Sequence, residues 1–115
     1  MEISDWLGKA VFEKIKSEPG PHLFVFAAKW CRFCKRFIEQ TKALQEPANV
    51  EIKLVNTDDP DKSLWDDFSI KIVPTIIVFK DGKSIFRIDG RRAIFHPVRA
   101  GLNMTDLEQA LSSAS

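Results

Sequence analysis

The chain has 115 residues, enough for one domain spanning 1–115 with a real core. Its 44% apolar and 29% charged content is that of an ordinary globular chain, and a net charge of +1 argues against a general nucleic-acid or membrane-surface role. No apolar run is long enough to span a bilayer, and Glu2, Asp5, Lys9 and Glu13 interrupt any export-signal core, so the expected compartment is the cytoplasm.

Ile3, Trp6, Leu7, Ala10, Val11 and Ile15 recur at helical spacing, which predicts an amphipathic helix near 4–17, capped by Ser4 or Asp5. Ser17-Glu18-Pro19-Gly20-Pro21 ends it. Residues 22–28 read as a central strand, apolar on both faces. A helix starting near Cys31 follows and stops at Glu46-Pro47. Glu51 to Asn56 alternates as a strand does. The acidic run Thr57-Asp58-Asp59-Pro60-Asp61 reads as a solvated loop that caps a short helix near 61–68. Thr75-Ile76-Ile77-Val78-Phe79 is a strong strand, Asp81-Gly82 a hairpin turn, and Ser84 to Ile88 the second arm. Residues 104–112 close the chain as a helix, capped by Thr105 or Asn103. The expected fold is α/β, with a mixed four-stranded sheet flanked by helices on both faces.

The two cysteines stand as Cys31-Arg32-Phe33-Cys34 at a strand-to-helix turn. In a reducing compartment a lone pair at that spacing points to dithiol–disulfide exchange rather than to a structural staple. Zinc normally takes four nitrogen or sulfur ligands. His22 and His96 lack ligand spacing to the pair, so no metal is expected.

Trp30-Cys31-Arg32-Phe33-Cys34-Lys35 resembles the W-C-x-x-C-K turn of the thioredoxin family. Val73-Pro74-Thr75 resembles its cis-proline motif, Phe79-Lys80-Asp81-Gly82 its hairpin, and Gly90 the glycine after its last strand. The resemblance covers about 22–90. It implies a thioredoxin-like fold and a protein thiol–disulfide oxidoreductase with no bound cofactor, working as a monomer. Its partners would be protein disulfides or thiols, with a separate reductase or small thiol as electron donor. Cys31 would attack and Cys34 resolve. Arg32 and Lys35 would tune the first thiol, and Trp30, Phe33, Val73, Pro74 and Gly90 would meet the substrate. The helix N-terminus and Arg32 favour negative charge at Cys31, so the disulfide is expected to be comparatively oxidising.

The chain departs from the family pattern at several places. Arg32-Phe33 replaces the usual Gly-Pro, Val25 stands at the buried acid, and Ala27 replaces an aromatic residue. Lys53 or water is left to assist Cys34. The N-terminal edge strand is expected to be absent. Arg91 to Asn103 forms a longer segment with three arginines and no acid, expected to help bind acidic or mixed acidic-apolar partners. Two alternatives stay open: a redox-weak adaptor on the same fold, and a glutathione-dependent reductase like the glutaredoxins.

Overall fold

The continuous apolar run at the centre of the chain forms the middle of a five-stranded sheet in the computed structural model, which describes residues 2–44, 51–58, 63–90, 102 and 104–114. The elements are β1 (Glu2–Leu7), α1 (Lys9–Lys16), β2 (Pro21–Ala27), α2 (Arg32–Lys42), β3 (Glu51–Asn56), α3 (Ser63–Asp67), β4 (Thr75–Lys80), β5 (Lys83–Asp89) and α4 (Met104–Ala114). The strand order is β1-β3-β2-β4-β5. β3 pairs in parallel with both β1 and β2; β4 runs antiparallel to β2 and to β5. Because β2 is central, Leu23 through Ala27 are all buried and neither face can be polar.

The N-terminus corrects the sequence expectation. Residues 2–7 form an edge strand, so the sheet has five strands rather than four, and the helix begins only at Lys9. The cause is local. Ile3 pairs with Ile52 and Trp6 with Leu54, so β1 carries two residues opposite Lys53 alone. That bulge spaces Ile3, Trp6 and Leu7 as i, i+3, i+4, the signature of a helix face rather than of a regular strand. Ser4 Oγ fills the gap in the ladder by accepting from Leu54 N–H at 2.9 Å.

The alternating faces of β2 meet different partners. Phe24 and Phe26 face α1, where Phe12 is fully buried. The ring of Phe12 lies edge-on to Phe24 at 4.8 Å, Phe26 at 5.2 Å, Phe68 at 5.3 Å and Phe79 at 5.9 Å. Each such contact adds about 0.5–1.5 kcal/mol beyond the area it buries. Lys16 Nζ sits over Phe12, Phe68 and Phe79, with its nearest centroid at 5.2 Å. Leu23, Val25 and Ala27 point the other way, into a layer of aliphatic side chains that includes Ile76 and Val78.

The hairpin is built as expected. Asp81 and Gly82 both take positive φ, 54° and 81°, as a two-residue turn matched to strand twist requires. β5 is also bulged: Phe79 pairs with Ser84 and Val78 with Phe86, which leaves Ile85 out of step and 48% exposed. The α4 start at Met104 is as expected, while the proposed cap Asn103 lies outside the described residues. So do Asp59 and Asp61, and the segment 91–103 apart from the buried Leu102. Among the described residues no helix is long and apolar enough to cross a membrane.

Candidate active site

Two parallel neighbours, β2 and β3, end side by side, with Ala27 paired to Asn56. The chain leaving each C-terminal end builds the site, the usual place for chemistry on such a sheet. Residues 28–31 turn tightly, held by Cys31 N–H donating to Ala28 O at 3.2 Å. Cys31 then becomes the N-cap of α2, in extended geometry at φ −83°, ψ 116°. Its side chain does what a cap side chain does: Sγ accepts from Cys34 N–H at 3.3 Å, satisfying one of the unpaired amides of the first turn.

Both cysteines are free thiols. They differ in access. Cys31 keeps 5% exposure at the rim, whereas Cys34, one turn into α2, has none. Burial pushes the Cys34 thiol well above its ordinary value, and the hydrogen bond with Cys31 adds to the rise. A backbone hydrogen bond from Ala28 works the other way, while the charges of Cys31 and Asp58 raise it further.

The second wall comes from the corner before β4. The Val73–Pro74 peptide is cis, and Cys31 Sγ lies 3.6 Å from Val73 O, a thiol-to-carbonyl contact. Thr75 Oγ1 donates to Ile72 O at 2.6 Å across the corner. Arg87 on β5 donates to the carbonyls of Phe68 and Ser69 and pairs with Asp89 at 2.8 Å, tying down the turn that leads into it. The register Thr75↔Asp89 sets the buried Gly90 level with Pro74 at the same end of the sheet.

The structure thus gathers most of the residues singled out in the sequence. Cys31 meets both Cys34 and Val73, which Pro74 follows, and Gly90 comes directly after β5. Trp30 projects beside the pair at 70% exposure, and Phe33 packs half-buried against the core. Arg32 and Lys35 are exposed; Lys35 N–H donates to Cys31 O at 3.1 Å in the first turn of α2, and among the described residues neither side chain bonds either thiol. Lys53 is not a partner for Cys34. It pairs with Glu51 at 3.8 Å, and its register with Phe24 puts it on the face opposite Val25.

One residue was missed. Asp58 had read as a solvated loop acid, yet it is anchored in the site. Lys29 N–H donates to Asp58 Oδ2 at 2.8 Å, and Asp58 N–H donates to Asn56 Oδ1 at 2.8 Å. Thr57 before it is clamped: its N–H and Oγ1 both donate to Ala27 O, at 3.0 and 2.9 Å, and Trp65 Nε1 donates to Thr57 O at 3.1 Å. Asp58 Oδ1 is buried and has no hydrogen-bond partner among the described residues. The position of Asp58 two residues after the end of β3 was its only signal in the sequence. A cavity of about 420 Å³ lined by Ser69, Lys71, Ile72 and Asp89 flanks the Val73–Pro74 corner; neither cysteine lines it. No cluster able to hold a metal ion occurs among the described residues.

Known proteins resemble this chain in sequence and in fold. A sequence profile of the family described as Thioredoxin matches residues 6–96. A thioredoxin of Chlamydia caviae is 36% identical over 69 residues, 59% of this chain and 67% of that one. A thioredoxin of Listeria monocytogenes is 33% identical over 92 residues, 79% of this chain and 84% of that one. Among solved structures, thioredoxin f from spinach chloroplast superposes with a TM-score of 0.75 over 98% of this chain and 93% of that one, at 19% identity, a likeness of fold. Profile, relatives and fold agree with a thiol pair placed at the end of a central strand, and the chain belongs to the thioredoxin family of thiol–disulfide oxidoreductases.

Proposed function

We propose that Cys31 attacks disulfides of partner proteins and that Cys34 resolves the mixed disulfide. The observation that carries this reading is the asymmetry of the pair: Cys31 sits at the rim as the cap of α2 with an amide aimed at its sulfur, while Cys34 is fully enclosed. The Cys31 thiolate forms a bond to one substrate sulfur and expels the other with its electron pair. Cys34 then attacks Cys31 Sγ, closes the Cys31–Cys34 disulfide and frees the second substrate thiol. Two electrons pass to the substrate, and a separate reductase or a small thiol restores the dithiol.

Val73 supports recognition of an extended peptide, since its backbone lies beside the attacking sulfur and strand addition there needs no side-chain match. Trp30, Phe33, Pro74 and Gly90 frame that position, and the exposed ring of Trp30 gives a substrate apolar surface to cover. Arg32 and Lys35 act, in this reading, through long-range charge. A reducing compartment such as the cytoplasm keeps the pair as a dithiol and makes the protein a reductant there.

The test is trapping. Cys34→Ser should accumulate a covalent complex with disulfide-containing proteins, released by dithiothreitol. Cys31→Ser should accumulate none and lose protein-disulfide reduction entirely. Trapping through Cys34 in the Cys31→Ser variant would reverse the roles.

A further inference from the structure

A resolving thiol must lose its proton while it is enclosed, because the thiolate is the nucleophile. Cys34 has no exposed surface from which water could take that proton. On β2 beneath the turn, Val25 is fully buried and paired with the apolar Leu54, so that part of the sheet offers no base. Lys53 faces away toward Glu51.

We propose that Asp58 is the proton acceptor for Cys34, reached through one bridging water. This rests on the reading that Cys31 attacks and Cys34 resolves. The geometry carries it in three parts. Asp58 Oδ1 is a buried carboxylate oxygen without a partner among the described residues, a costly arrangement that a buried water relieves. The carboxylate is held in place, since Lys29 N–H fixes Oδ2 and the clamped Thr57 fixes the backbone before it. One turn also links the thiol and the carboxylate: Cys34 N–H donates to Cys31 Sγ, Cys31 N–H donates to Ala28 O, and the next amide, Lys29, binds Asp58.

Charge balance favours the same route. Among the described residues, the charges of Cys31 and Asp58 oppose ionisation of Cys34. Loss of the Cys34 proton to bulk water would place a second negative charge beside an ionised Asp58. Transfer to Asp58 moves one negative charge from carboxylate to sulfur and adds none. The step is then complete. The Cys34 S–H bond breaks and the proton passes to Asp58. The sulfur attacks Cys31 Sγ, and the bond from Cys31 to the substrate sulfur breaks, its electron pair leaving with the substrate thiolate. Asp58 returns its proton to that thiolate or to solvent.

The experiment is rapid mixing of the reduced protein with 5,5′-dithiobis(2-nitrobenzoate). Attack by the first thiol releases thionitrobenzoate in a phase that scales with reagent. Resolution releases the second equivalent in a phase that does not. Asp58→Asn keeps an acceptor for Lys29 N–H but cannot take a proton. It should leave the first phase unchanged and slow the second by about a hundredfold at neutral pH, the low end for a positioned proton acceptor. The slowed phase should rise about tenfold with each pH unit and approach wild type under alkaline conditions, as hydroxide replaces the carboxylate. Asp58→Glu should restore much of the rate. An unchanged second phase, or one slowed equally at every pH, overturns the proposal and leaves Asp58 a structural anchor. A fast first phase that survives Cys31→Ser but not Cys34→Ser overturns instead the assignment of the two cysteines on which it rests.

Discussion

The two faces of β2 are built to different rules. One carries Phe24 and Phe26 and meets the Phe12 cluster, where rings lock edge to face. The other carries Leu23, Val25 and Ala27, smaller and wholly aliphatic. The aromatic face concentrates apolar mass and directional contacts. The chain that builds the chemistry leaves the end of the strand, where Ala27 offers its carbonyl to Thr57. Stability and reactivity are therefore carried by different residues of one strand, and it should be possible to damage one while sparing the other.

The largest effect should come from breaking the aromatic face. Phe12→Ala removes a fully buried ring that contacts four others, and should lower the unfolding free energy by about 3–5 kcal/mol. Chemical denaturation would measure it. Reactivity of the thiols in the remaining folded protein should be unchanged; a parallel loss would show that the two faces are coupled.

A medium effect sharpens the other side of the comparison. Cys34 is held above its ordinary value of 9.0 by burial, so the folded dithiol protein keeps a proton that the unfolded chain loses as pH rises past that value. Its contribution is complete below about pH 9 and falls by about 1.4 kcal/mol per pH unit above it. The difference in stability between the reduced wild type and Cys34→Ser should therefore shrink with that slope in alkaline denaturation curves. Parallel curves would mean that the thiol is not desolvated.

The smallest effect lies at the rim of the sheet. Ser4→Ala removes the acceptor for Leu54 N–H and should cost about 1 kcal/mol, with the thiols untouched. Amide exchange at Leu54 should quicken more than at Ile52; uniform quickening would show that β1 frays as a whole.

What the sequence made legible was what neighbours in the chain decide. The Cys31–Cys34 turn, the Val73–Pro74 corner and the Asp81-Gly82 hairpin each rest on a few adjacent residues whose backbone preferences agree with the fold. β1 was misread because its bulge gives a strand the spacing of a helix, and only the pairing with β3 reveals it. Asp58 was misread because its anchoring depends on Lys29 directly and on Ala27 and Trp65 through Thr57, none of them adjacent to it in the chain. Nothing in Thr57-Asp58-Asp59-Pro60 separates an anchored carboxylate from a solvated one. The expected influence of Arg32 rested on adjacency alone, and its side chain is exposed, free of any bond to the thiols among the described residues.

The bulges also bear on how this chain meets copies of itself. Among the described residues the rims of the sheet are β1 and β5, and each is interrupted: β1 between Ile3 and Trp6, β5 at Ile85. An unbroken rim presents a ladder of amides and carbonyls in step with any extended chain and invites polymerisation strand by strand. Here a second rim laid alongside would fall out of register within a few residues, on either side. The irregularity that disguised β1 in the sequence thus also guards the sheet against aggregation.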